Sequence, residues 1–193
     1  MSIRLGIDAS QSVASCSIST DAGIIVSATI ERPIENFPTL IRDVVTRANI
    51  CINDIDEIIV CIGPGSQTGN RTTVVTGNAL ALALNKPISG VLSTDAAAVI
   101  LKSDETYKVA ISAGRRRWFI EDYSCQNGIL NLLGTLKLVD DFAESIKPSF
   151  YAIEDESADD KNCAVGILMI AEQQRHLISQ SMLDEIRPYE FRG

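Results

Sequence analysis

The sequence predicts an α/β protein of two lobes, the second of them short, and three observations lead there. Three strand-like runs, residues 3–8, 13–19 and 23–30, follow one another with only polar turns between them, the pattern of an antiparallel meander. Helix-period and strand-like apolar stretches then alternate from Pro38 to Leu101, the pattern of a sheet covered by helices. After Ser103-Asp104-Glu105-Thr106 the chain resumes with mostly strand-like segments, so a first lobe over residues 1–102 and a shorter one over 103–193 are expected.

In chain order, the turn Ala9-Ser10-Gln11-Ser12 separates the first two strands, and Asp21-Ala22-Gly23 introduces the third. Pro38 sets the start of a helix over about residues 39–49, with Leu40, Val44, Val45 and Ala48 on one face. Residues 55–62 are nearly all apolar after an acidic opening, as a strand covered on both faces should be. The turn Gly63-Pro64-Gly65 leads into a helix over about 68–85 that Lys86-Pro87 ends, and residues 88–92 return as a strand. Ser93-Thr94-Asp95 offers the cap of a helix over 96–101. In the second lobe strands are expected at 108–112, 118–123, 129–138 and 150–153. A short helix near 139–146 and a final helix over 163–179 complete it, and the acidic stretch 154–160 reads as a solvated loop.

Composition excludes several classes of function. With 25 acidic against 17 basic residues the net charge is −8, which repels phosphate backbones and argues against autonomous nucleic-acid binding. No apolar run reaches the ~18 residues of a membrane span, and Met1-Ser2-Ile3-Arg4 does not open a secretory signal. Cys16, Cys51, Cys61, Cys125 and Cys163 form no CxxC pair, so free thiols in a reducing cytoplasm are expected. His176 is the single histidine and lies on what reads as the polar side of the last helix. A zinc hydrolase would need clustered ligands and a Ser-His-Asp hydrolase would need that histidine, so no bound metal is expected.

Two stretches carry chemical potential. Gly63-Pro64-Gly65-Ser66-Gln67-Thr68-Gly69-Asn70-Arg71 joins a buried strand to a helix start, where backbone N–H groups and the helix dipole favour an anion. Gly63, Gly65 and Gly69 permit close backbone approach, and Ser66 or Thr68 could cap the helix or bond a phosphate. A tight capped turn with no ligand is the competing reading. The loop is neither a Walker loop nor a nucleophile elbow, since no lysine follows Gly69 and Ser66 is flanked by Pro64 and Thr68. Arg115-Arg116-Arg117, followed by Trp118, is the concentrated positive patch. It reads either as a solvated hairpin tip or as a contact for phosphate or RNA.

The glycine motif, preceded by residues 54–60 and followed by Ala79 through Pro87, resembles the TsaB (YeaZ) family, whose members carry Gly-Pro-Gly-Ser-Phe-Thr-Gly-Leu-Arg at this place. Gly6-Ile7-Asp8-Ala9-Ser10, residues 88–96, the hairpin 113–119 and Arg187-Pro188-Tyr189-Glu190-Phe191-Arg192 are similar to further segments of that family. Gln67 and Asn70 depart from its pattern, as do residues 35–40. The resemblance implies an actin-like ATPase (ASKHA, ribonuclease H-like) fold and a cytoplasmic, cofactor-free accessory subunit in the formation of N6-threonylcarbamoyladenosine in tRNA. It further implies a metal-bearing TsaD-like paralogue that performs the transfer, a TsaE-like ATPase, and tRNA contact only within the complex. In such folds Asp8 with Ser10 would face phosphates and their metal, although an Asp-initiated turn explains Asp8 equally. The alternative is an active nucleotide-dependent ATPase or kinase using Asp8 and the 63–71 loop. Against it, the chain holds no Gly-Gly dipeptide for an adenosine loop and no second histidine for a metal pair.

A partner surface is expected on the two first-lobe helices. Val74, Gly77, Ala81 and Leu84 make one face of the longer helix and Val75, Ala79 and Leu82 a second. Leu40, Ile41, Val44, Val45 and Ala48 make the shorter one broad and apolar. A helix on a sheet needs one apolar stripe, so the surplus predicts a helical bundle across a dimer axis, with the TsaD-like paralogue or, in isolation, with a second copy.

Overall fold

The computed structural model describes residues 1–31, 36–101, 106–127, 129–140, 150–153, 163–173 and 179–181. Strands β1 (Arg4–Asp8), β2 (Val13–Thr20) and β3 (Gly23–Glu31) form the expected antiparallel meander. Helix α1 (Phe37–Arg47), β4 (Glu57–Gly63), α2 (Gln67–Leu84), β5 (Ile88–Leu92) and α3 (Ser93–Leu101) follow, with a 3-10 turn at Ile52–Asp54 before β4. The second half adds β6 (Thr106–Gly114), β7 (Arg117–Gln126), β8 (Ile129–Leu132), β9 (Lys137–Asp140), β10 (Phe150–Ile153), α4 (Cys163–Gln173) and β11 (Ser179–Ser181).

The six-stranded first sheet has the order β11-β5-β4-β1-β2-β3, with β1, β4 and β5 parallel and the rest antiparallel. β10, β6, β7 and β8 make the second sheet, to which β9 adds by pairing with β7. The apolar character of β4 follows from its place at the centre. Ile58, Val60 and Ile62 pack with α1 and α2 on one face, while Ile59 and Cys61 pack with α3 and α4 on the other. Two strand-covering layers explain a strand with no polar side after Glu57.

The tail of the chain returns to the first sheet. α4 lies across β1, where a Cβ on Gly6 would come within 2.8 Å of the Ala164 carbonyl oxygen, and β11 extends the sheet beyond β5. Both elements belong to the stretch expected to form the second lobe.

Three local expectations change. The strand expected over 129–138 is split, because β8 and β9 run along the same edge of β7 with a bulge between them. Four residues, 133–136, lie between the paired Leu132 and Lys137, where β7 has only Glu121 and Asp122 between Tyr123 and Ile120, and the Leu133 N–H donates to the Asp122 carbonyl at 2.9 Å. Val139 and Asp140, expected to begin a helix, lie in β9, and residues 141–149 lie outside the described ones. Of the last helix the described part is Cys163–Gln173, and Ser179, expected at its end, is a strand residue. His176, the acidic stretch 154–160 and the motif 187–192 lie outside the described residues.

One buried charge ties these layers together. Arg4, 8% exposed, reaches Glu57 on β4 at 3.7 Å, Asp21 at 3.2 Å and Glu172 on α4 at 3.7 Å. Glu57 is itself buried and accepts the Ser89 hydroxyl at 2.8 Å. Removing the guanidinium strands that carboxylate, a loss of about 3 kcal/mol or more. Arg4→Ala is therefore expected to lower the urea midpoint by that equivalent.

Candidate functional site: the glycine loop and the second helix

The turn between β4 and α2 is built on the end of β1. Asp8, fully buried, accepts the Ser10 N–H at 2.9 Å and so turns the chain out of β1. The Ser10 carbonyl accepts the Ser66 N–H at 2.7 Å, and the Ala9 N–H donates to the Thr73 hydroxyl oxygen at 2.8 Å. That hydroxyl in turn donates to the Gly69 carbonyl at 3.0 Å. Ser66 caps α2 by accepting the Gly69 N–H at 3.3 Å. Ser93, at the start of α3, donates to the Pro64 carbonyl. Two helix starts and one hairpin are thus locked to each other.

Glycine is demanded where backbones meet. A Cβ on Gly69 would overlap the Ala9 carbonyl oxygen, and one on Gly65 would come within 2.5 Å of the Ser10 carbonyl oxygen. Gly63, at φ +101° before a cis Gly63-Pro64 peptide, leaves the space taken by the Asn70 amide. Asn70 is buried at 5% exposure and so fills that pocket, whereas Gln67 is exposed; the two departures from the TsaB motif have different environments.

Of the residues expected at an anion or nucleotide site, Asp8, Ser10, Gly63, Gly65, Ser66 and Gly69 come together in this turn. Ser66 is used as the helix cap, Asp8 and Ser10 are 0% and 1% exposed, and Thr68 and Arg71 stand on the solvent side of the first turns of α2. Among the described residues no three His, Cys, Asp or Glu side chains converge on one point, and no helix is long and apolar enough to cross a membrane.

The expected partner surface divides sharply. Leu40, Val44, Val45, Val74 and Ala81 are buried in the core between α1, α2 and the first sheet, so they face this chain and leave nothing for a partner. Phe37 and Ile41 join them, and the apolar width of α1 is a single stripe closed by β2 and β3. Val75, Ala79 and Leu82 have the opposite fate. Val75 is 67% and Leu82 85% exposed, on a helix with no charged residue between Arg71 and Lys86. The solvent side of α1, by contrast, carries Arg42, Asp43 and Arg47.

Arg115, Arg116 and Arg117 occupy the exposed β6–β7 hairpin tip, with Arg115 and Arg116 at φ +54° and +62° and Arg117 in register with Asp140. A positive-φ pair suits Asn-Gly, so arginines there carry a backbone cost of order 1 kcal/mol each.

A cluster that sequence reading missed lies between α3 and β7. The Tyr123 hydroxyl is 2.7 Å from Asp95 and 2.8 Å from Glu121, and all three residues are buried. Burial first, then the neighbouring Glu121 charge, pushes Asp95 up to about 6 against the hydrogen bond from Tyr123. Burial likewise raises Glu121 and holds the Tyr123 phenol well above its ordinary range. In the sequence Asp95 reads only as part of a helix cap, and the available signal is the pair of acids within Ile120-Glu121-Asp122-Tyr123.

Residues 11–147 match the family model described as TsaD: tRNA N6-adenosine threonylcarbamoyltransferase. The chain belongs to this family. Within the TsaD family, a tRNA N6-adenosine threonylcarbamoyltransferase of Rhizobium johnstonii is 33% identical over 66 residues, which are 34% of this chain and 18% of that protein. One of Clostridioides difficile is 33% identical over 69 residues, 36% of this chain and 20% of that protein. The chain spans about a fifth of the length of the curated relatives it matches. Among solved structures, a Pseudomonas aeruginosa protein with similarity to peptidase YEAZ superposes over 100% of both chains with a TM-score of 0.77 at 17% identity. YeaZ from Pseudomonas aeruginosa gives 0.66 at 23% identity over 80% of this chain and 74% of its own. The fold is therefore that of YeaZ, the α/β actin-like ATPase fold that the TsaB (YeaZ) resemblance implied.

Proposed function

We propose that the chain is a non-catalytic accessory subunit of a complex that forms N6-threonylcarbamoyladenosine in tRNA, docking a TsaD-like transferase through the exposed face of α2. The observation that carries this reading is the uncharged apolar stripe Val75-Ala79-Leu82 on a chain of the TsaD family. An exposed stripe of that kind on a surface helix asks for a covering partner. The internal use of Asp8, Ser10 and Ser66 supports a structural role for the glycine loop, which seats α2. A TsaE-like ATPase joins this pair in the proposed assembly, and the two first-sheet and second-sheet lobes divide the work between docking and RNA contact.

In this reading Arg115, Arg116 and Arg117 meet tRNA phosphate only when the partner supplies the rest of a basic surface, since the net charge of −8 opposes binding by the chain alone. Reconstitution from the purified chain, the TsaD-like and TsaE-like proteins of the same cell, tRNA and the small substrates tests the proposal. Modified nucleoside is expected from the full mixture and from neither the chain alone nor the mixture lacking it. Changing the three arginines to Ala should weaken tRNA binding to the complex and flatten its salt dependence by up to about one logarithmic unit per lost phosphate contact. Nucleoside formation by the chain alone, or unchanged yield without it, would refute the accessory role.

A further inference from the structure

Asp95, Tyr123 and Glu121 pose a problem of hydrogen counting. Two carboxylate oxygens lie 2.7 and 2.8 Å from one phenol oxygen that owns one hydrogen. Both contacts can be hydrogen bonds only if a carboxyl brings a second hydrogen and donates it to the phenol oxygen while the phenol donates to the other carboxylate. With both carboxyls ionised, one contact becomes a buried lone-pair repulsion.

Among the described residues no basic side chain pairs with either carboxyl: the ion pairs are made by the N-terminus, Arg4, Arg47, Lys86 and Lys108, and none reaches Asp95 or Glu121. On β6, Lys108 is held by Asp122 and Tyr107 stacks on Tyr123 at 6.2 Å while donating its own hydroxyl to the Ala98 carbonyl at 2.7 Å. β7 adds Asp122, whose charge raises Glu121, and Cys125, which bears on Tyr107. On α4, Glu172 turns to Arg4. Thr94, on the same turn as Asp95, favours the ionised form of Glu121 and of the phenol and so offsets part of the effect of burial.

We propose that Asp95, Tyr123 and Glu121 form a proton-sharing latch that fastens the second sheet to α3, closed while the carboxyl pair keeps one proton and loosened when that proton passes to solvent. The latch is independent of the function proposed above. It also bears on the glycine loop, because Ser93, two residues before Asp95, holds the Pro64 carbonyl.

The sign of the effect follows from the raised carboxyls. The folded chain keeps a proton that the unfolded chain releases at about pH 4, so the folding constant falls as pH rises from there through about 6. One retained proton gives up to tenfold per pH unit, hence up to about a hundredfold over that interval. Asp95→Asn replaces the shared proton by an amide donor and keeps both contacts; Glu121→Gln does so from the other side. Urea unfolding of the full chain between pH 4.5 and 8 should show the steep fall in the parent and a flattened profile in each amide variant. Carbon NMR of the carboxyls should place the midpoint of one of the pair well above the ordinary carboxylate range. Equal slopes in the parent and both variants, or ordinary midpoints for both carboxyls, would overturn the latch. Failure of both amide variants to fold at any pH would overturn it as well, since the site would then require charge and not the proton.

Discussion

Gly69→Ala is expected to cost about 3 kcal/mol or more and to displace the start of α2. The added methyl would overlap the Ala9 carbonyl oxygen and stand 2.7 Å from its carbon, both backbone atoms of the β1–β2 turn. No rotamer relieves a clash between two backbones, so α2 must back away. Two bonds across that gap then weaken together, namely Ser66 N–H to the Ser10 carbonyl and Ala9 N–H to the Thr73 hydroxyl. Urea unfolding reads the loss. Gly134→Ala serves as the control, since the nearest atom to its added methyl is 4.0 Å away in the Asp122 side chain, and its midpoint should not move.

Val75→Glu and Leu82→Glu are expected to abolish pairing while leaving the fold intact. Both side chains stand mostly in solvent, where substitution shifts stability by about 0.5 kcal/mol or less. In a covered interface the same carboxylate would be desolvated without a partner, a penalty of several kcal/mol that corresponds to roughly a hundredfold or more in affinity. Ala79→Glu should act in the same way. Ala81→Glu should not, because Ala81 is buried against the first sheet and the charge would unfold the chain instead. Thermal unfolding of each variant beside its affinity for the TsaD-like protein separates the two outcomes.

The first hundred residues were legible because each element there announces itself locally. β4 is apolar on both faces because helices cover both, and Pro38 and Ser66 mark helix starts that the structure keeps. The motif around Gly69 was legible as a place of close approach, but not what approaches it, since Ala9 and Ser10 are some sixty residues earlier. On α2 the two apolar stripes were correctly separated, and composition alone does not tell which one the sheet claims. On α1 the positions 37, 40, 41, 44 and 45 are one face of a helix, and their apparent surplus of apolar width is taken up by β2 and β3. β8 and β9 read as one strand in the sequence because the bulge around Gly134 leaves apolar residues on either side of it. The Asp95–Tyr123 contact joins residues 28 apart through the return of β7, and nothing local to either residue announces it.

The proposed role of α2 as a docking helix for a TsaD-like transferase is tested most directly by sedimentation of the purified chain with that protein from its own cell. A discrete complex is expected with the parent chain, and none with the folded Val75→Glu/Leu82→Glu double variant. Sedimentation of the parent chain apart from the transferase, or an undiminished complex with the folded double variant, would contradict the account.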